Sequence, residues 1–141
     1  MEVQINWLAV ILAAVSSMVV GAVWYSKGVF GKKWMNLVGK TDKDLQKSGM
    51  TPMYVAMGVS LLTAFVLAHL TYLASNFYAE SYSFFQSALI TAFWVWLGLT
   101  AARIITHDVF EGRPSKLTLL NIAHELVTIM AMAVIIGLLG A

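Results

Sequence analysis

The residues able to do chemistry in this chain of 141 residues gather in one stretch. Arg103-Ile104-Ile105-Thr106-His107-Asp108-Val109-Phe110-Glu111-Gly112-Arg113-Pro114-Ser115 leads into an apolar segment carrying Asn121, His124, Glu125 and Thr128. Two of the three histidines and both arginines fall there, in a chain that is otherwise mostly hydrocarbon. Glu125 stands out. It lies eight residues past Leu117, so at ~1.5 Å of helix rise per residue it is about 12 Å into a hydrocarbon layer of ~30 Å. An ionisable side chain at that depth is costly and is a functional candidate by default. Asn121, Glu125 and Thr128 recur at helical spacing, a polar stripe expected to face protein. Arg103 is near the end of its own apolar segment and has two routes, outward to lipid phosphates or inward to Glu125 or Asn121.

Three kinds of chemistry are open to these groups. The first is proton- or cation-coupled transport by a small oligomeric carrier or channel, with Glu125 as the coupling group and Asn121, His124, Arg103 and Thr128 around it. The second is structural: the polar residues only fix helix packing in an accessory membrane protein. The third is an enzyme acting on lipid headgroups through Arg113, His107 and Asp108. No nucleophile motif, phosphate loop or ligand set accompanies the third, so no catalytic residue and no cofactor is assigned. Metal binding is not expected either. His107-Asp108 and His124-Glu125 are neighbours that should point apart on a helix, and no two histidines stand at i, i+4. The chain has no cysteine, which removes thiolate ligands, thiol nucleophiles and disulfides. Transport is the expectation and the structural protein the alternative.

The elements that must position these residues are membrane helices. Hydrophobic residues make up 60% of the chain and charged ones 11%, where soluble domains carry roughly a quarter charged. Mean hydropathy is +0.78. So short a chain cannot hide that surplus in a soluble core, and lipid must be the solvent. The fold class is therefore all-α, a polytopic membrane protein of four transmembrane helices in a single domain over residues 1–141. The spans run about 7–25, 53–74, 84–106 and 117–140. Asn6, Thr51-Pro52, Ser83 with Gln86, and Pro114-Ser115 open them with cap or first-turn residues. Met1-Glu2-Val3-Gln4 lacks the positive flank of a signal peptide, so the first run is expected to be retained. A net charge of +2 gives no case for nucleic acid.

All nine basic residues fall on one side of these spans, in the first connection and at the third. Lysine and arginine stay cytoplasmic, which predicts an inner (cytoplasmic) membrane protein with both termini outside the cytoplasm. The first cytoplasmic connection holds a short amphipathic pattern. Phe30, Trp34, Leu37 and Val38 take one face, and Lys32, Lys33 and Asn36 the other. That predicts an interfacial helix resting on the bilayer and its anionic headgroups. Thr41 and Asp44 cap a second short helix. Rows of small residues (Ala13/Ser17/Gly21, Ala56/Ser60/Ala64/Ala68, Ala133/Gly137/Ala141) allow close helix approach. They exceed what one bundle seems to need, so a homo-oligomer is expected, a dimer favoured. Trp94 and Trp96 sit near mid-membrane, as gap fillers between helices or as the wall of a site.

Two stretches carry a family resemblance. Gly21-Ala22-Val23-Trp24-Tyr25-Ser26 with Phe30-Gly31-Lys32-Lys33-Trp34-Met35 is one. Val109-Phe110-Glu111-Gly112-Arg113-Pro114 with Lys116-Leu117 and Asn121 is the other, and Phe110 to Pro114 forms its cytoplasmic turn. In order and spacing across essentially the whole chain, they resemble the bacterial domain-of-unknown-function family 1761, small four-span membrane proteins. The resemblance implies that fold and no established activity. The chain departs from the family pattern at Lys27, where proline is usual, and at Ala123-His124-Glu125, where Gly-Tyr is frequent. Chemistry built on His124 and Glu125 would then belong to this protein more than to the family.

Overall fold

Helices dominate because hydrocarbon leaves a backbone no other way to satisfy its own polar groups. In the computed structural model, residues 3–140 are described, and no strand occurs among them. Helix α1 (Trp7–Trp24) begins where the Asn6 side chain accepts from the Ala9 N–H at 3.2 Å. Helix α4 (Thr51–Phe77) carries proline in its first turn. Helix α5 (Phe84–Val95) opens with the reciprocal cap of Ser83 and Gln86. It runs through a π-helical stretch, Trp96–Ala101, into α6 (Ala102–Phe110) without a break. Helix α7 (Ser115–Leu139) follows Pro114. Four runs, Trp7–Trp24, Thr51–Phe77, Phe84–Phe110 and Ser115–Leu139, are long and apolar enough to cross a membrane. The fold is all-α and polytopic.

Between α1 and α4 lie two short helices, α2 (Gly31–Val38) and α3 (Asp42–Lys47). On α2, Trp34, Met35, Leu37 and Val38 are half-buried while Lys32, Lys33 and Asn36 are exposed, with half-buried Phe30 at its N-cap. The chain reverses into α2 through a tight turn in which the Phe30 N–H donates to the Trp24 carbonyl (3.0 Å) and the Gly31 N–H to that of Ser26 (2.9 Å). Gly31 is required there, because a Cβ would collide with the carbonyl oxygens of Tyr25 and Ser26. Thr41 caps α3, donating its N–H and O–H to the Asp44 carboxylate at 2.9 and 2.6 Å. Those bonds hold Asp44 below the ordinary carboxylate range.

The spans form a ring in which α1 packs on α4 and α7, and α5 packs on the same two. Each helix therefore has antiparallel neighbours. The third span changes partners along its length: α5 lies against both α4 and α7, whereas the π-helical stretch and α6 lie against α7. The core, which includes Ala13, Ala14, Leu67, Ala88, Ala92, Met132 and Ile136, fills the half of the bundle nearest the termini. The same end is tied by the Asn6 side-chain amide, which donates to the Leu139 carbonyl at 3.2 Å.

Most of the small-residue rows are used inside this one unit. Ala13, Ala64 and Ala133 are fully buried, Ser17 and Ala68 nearly so, and Gly137 lies against Phe85 and Ala88. Ala56 is exposed, in the lining of an open groove; Ala141 lies outside the described residues. The surplus of rows expected for lateral association is thus largely taken up by contacts between α1, α4, α5 and α7. The two mid-membrane tryptophans divide. Trp96 fills the gap beside α7 and donates its indole N–H to the Ile122 carbonyl at 2.9 Å. Trp94 is exposed and lines a second open groove, between α4 and α5.

Close approach at Gly137 gives a direct test of this packing. A Cβ there would stand 2.8 Å from the Phe85 ring and 3.0 Å from the Phe85 Cα. Gly137→Leu should lower stability by about 1–3 kcal/mol through overpacking, read as thermal unfolding in detergent or nanodiscs. Gly58→Leu should be near neutral, because nothing lies within 4 Å of a Cβ at that position.

Candidate functional site

Toward the basic end the bundle is not closed. The second half of α1, the first half of α4 and the first half of α7 enclose an open groove of about 480 Å³. Helical spacing puts its walls together. Ser17, Gly21 and Tyr25 stand at i, i+4, i+8 on α1 and its cap; Met53, Ser60 and Thr63 share a face of α4; His124, Thr128 and Met132 do so on α7, with Glu125 beside them. The hydroxyls of Ser17 and Ser60 are joined by a 2.7 Å hydrogen bond that ties α1 to α4 at this depth.

His124 organises the polar side of the groove. Its Nδ1 lies 3.3 Å from Oε1 of Glu125, and its Nε2 lies 3.4 Å from the Thr128 hydroxyl. A neutral imidazole carrying its proton on Nδ1 satisfies both, donating to the carboxylate and accepting from the hydroxyl. Adjacent positions on a helix were expected to point apart, but both side chains are long enough to turn toward each other. The imidazole is held from behind by aromatic rings. Tyr25 lies 4.9 Å away and Trp24 5.9 Å, centroid to centroid. Phe30 in turn packs on Trp24 at 4.6 Å and Trp34 on Tyr25 at 5.4 Å. The first signature and α2 thus form the back wall of the histidine.

The Glu125 side chain is 42% exposed against 13% for His124, so the carboxylate opens into the groove while the imidazole is held in the wall. No lysine or arginine is among the groove-lining residues. Arg103 is exposed on α6 and forms no ion pair among the described residues. Asn121 lies outside the groove lining. Of the five residues expected to form one polar site, the structure gathers His124, Glu125 and Thr128 and leaves Asn121 and Arg103 apart. Tyr25 and Thr63 join the site without having been expected there. For Tyr25 a signal existed, since it continues the Ser17–Gly21 row by one more turn. His69 lies elsewhere, beside the Phe65 ring at 6.1 Å. No group of three histidine or acidic side chains is gathered among the described residues.

The second signature makes a corner. Gly112 takes φ +65°, a backbone conformation that favours glycine, and the Arg113 N–H then donates to the Asp108 carbonyl at 2.9 Å. The Asp108 carboxylate, only 9% exposed, accepts from the Thr118 hydroxyl at 2.7 Å. Arg113 Nε lies 2.6 Å from Glu111 and 3.7 Å from Asp108. Phe110 is 90% exposed, pointing away from the bundle at the bilayer edge. Asp108 is therefore occupied in joining α6 to α7, and exposed His107 makes no joint site with it. Of the set Arg113, His107 and Asp108, the structure joins Arg113 and Asp108 in the corner between α6 and α7 and leaves His107 exposed.

Asp108→Ala should cost about 1–3 kcal/mol, the usual range when a charged acceptor is removed from buried donors. Arg113→Ala should cost less than about 1 kcal/mol, because its guanidinium is half exposed. Thermal unfolding of both variants in nanodiscs checks the order.

With this geometry in place, comparison with known proteins gives one match. The family model described as "Protein of unknown function (DUF1761)" matches residues 8–137. The chain belongs to that family. No curated protein and no solved structure matches it.

Proposed function

We propose that this family member is a small proton-coupled carrier of the cytoplasmic membrane, with the groove as its binding site and Glu125 as its coupling group. One observation carries this: the carboxylate is inside a span, opens into a groove, and meets no lysine or arginine there, its neighbour being the His124 imidazole. A glutamate that served only to lock helices would be expected to meet a guanidinium or ammonium in the dry interior, since an unpaired buried charge is strongly unfavourable. Arg103, the one candidate for that role, is exposed on α6. An open carboxylate hydrogen-bonded to a histidine is better suited to taking and releasing a proton. The structural alternative has no comparable support.

The placement of every lysine and arginine favours an orientation with the groove mouth at the cytoplasmic side and the termini outside. Lys32 and Lys33 on α2 would then meet anionic headgroups. Cysteine-free background makes this testable. An impermeant thiol reagent on intact cells should label Ser81→Cys and spare Ser48→Cys; the opposite pattern reverses the orientation.

The function itself is tested in proteoliposomes loaded with a pH-sensitive dye and challenged with inorganic and organic cations. Wild type should move protons on addition of its substrate. Glu125→Gln, which keeps shape and hydrogen bonding but cannot titrate, should fall to the level of empty liposomes with its thermal unfolding unchanged. Equal flux in the variant would remove Glu125 as coupling group. A large loss of stability without any wild-type flux would favour the structural alternative.

A further inference from the structure

We propose that the groove takes a lipophilic organic monocation of the alkyl- or arylammonium class, exchanged against one proton on Glu125. This rests on the assignment of Glu125 as coupling group and adds the chemistry of what it couples to. Sign comes first. Among the lining residues Glu125 is the sole acidic side chain, and no lysine or arginine offsets it. An anion would meet an uncompensated carboxylate in a low-dielectric setting.

Ligand type follows from the walls. Met18, Met53, Met132, Val59 and Ala56 give the groove a mostly apolar surface, and the thioethers adapt to irregular shapes. Besides the carboxylate, the side-chain oxygens are hydroxyls held in bonds of their own or set apart from one another: Ser17 and Ser60 bond to each other, Thr63 donates to the Val59 carbonyl, Thr128 faces His124, and Tyr25 adds a phenol. A bare Na⁺, K⁺ or Ca²⁺ needs a shell of oxygen ligands to replace its water, and one carboxylate does not supply it. A cation whose charge is spread over carbon loses much less water. Tyr25 adds an aromatic ring at the same wall as the carboxylate, the surface that attracts such cations. The volume of about 480 Å³ is of the order that small-molecule sites have.

Exchange follows from having one carboxylate. It can hold a proton or neutralise a monocation, so entry of R₄N⁺ releases one H⁺ and the site's charge is unchanged. The groups facing it are His124 on α7 and Tyr25 at the end of α1; α4 contributes no titratable lining residue. Protonating His124 would also cancel the carboxylate's charge, so both titrations act in the same direction. Cation binding should therefore strengthen as pH rises.

Phenyltrimethylammonium is the probe, because its charge does not titrate and tert-butylbenzene is its neutral isostere. Calorimetry with the full chain in zwitterionic nanodiscs should show saturable binding of the cation, tighter at about pH 8 than at about pH 5. Glu125→Gln should weaken it about tenfold or more, as should Tyr25→Leu to a smaller extent with Tyr25→Phe close to wild type. Glu80→Gln, in the exposed α4–α5 connection, should have no effect. Binding of tert-butylbenzene as tight as that of the cation, or cation binding unchanged in Glu125→Gln, overturns the proposal. So does displacement of the probe by K⁺ at equal concentration. The two proposals fail separately. Cation binding without proton flux would sink the carrier and leave the ligand class standing; proton flux driven by some other solute, without cation binding, would do the reverse.

Discussion

In lipid there is almost no hydrophobic drive between helices, so spans stay together only where their backbones can come close. That constraint organises the whole molecule. Where small side chains line up, at Ala13 and Ala14, Ala64 and Ala68, Ala88 and Ala92, and Ala133, the bundle is closed. All of these lie toward the end that carries the termini. Toward the basic end the facing residues are larger and more polar, and the same four spans leave a groove open on one side.

The third span decides how that half opens. Through α5 it packs on both α4 and α7, but beyond Val95 it belongs to α7. The change coincides with the π-helical stretch Trp96–Ala101, a local widening that often accompanies functional sites. Trp96 fixes the changeover by bonding the Ile122 carbonyl, two residues before His124. A residue that filled space in a tighter bundle here holds the third span toward α7, next to the polar cluster. Among the described residues, α4 and α6 do not pack on each other in the same way.

Much of this was legible in the sequence, for reasons that can be named. Hydrocarbon runs of span length, the Ser83/Gln86 box, Pro52 and the amphipathic row of α2 act locally, and local signals survive without knowledge of neighbours. Glu125 was legible from depth alone. Partnership between helices was not. Arg103 has the charge and the level to reach Glu125, yet α6 turns that face outward, and only the packing of the third span determines this. Tyr25 could be placed only at the end of the first span, because position along the chain shows depth, not azimuth. The small-residue rows were visible, but whether a row meets its own bundle or a second copy is a three-dimensional matter. Mid-membrane tryptophans were likewise indistinguishable until one proved to face α7 and the other to line an open groove between α4 and α5.

The two family signatures, chemically unlike, act on the same space from opposite sides. The first turns the chain sharply at Gly31 and stacks Trp24, Tyr25, Phe30 and Trp34 behind His124, so it builds a wall. The second buries Asp108 under Thr118 and Arg113 and fixes α6 to α7, away from α4. Neither contributes the carboxylate. Glu125 and its histidine stand outside both stretches, on α7. The architecture that leaves room in the membrane is thus written largely in the two turns that flank the spans, whereas the charge placed in the room is written within the fourth span. A scaffold and a lining written in separate residues form the arrangement from which different ligands can be served without rebuilding the fold.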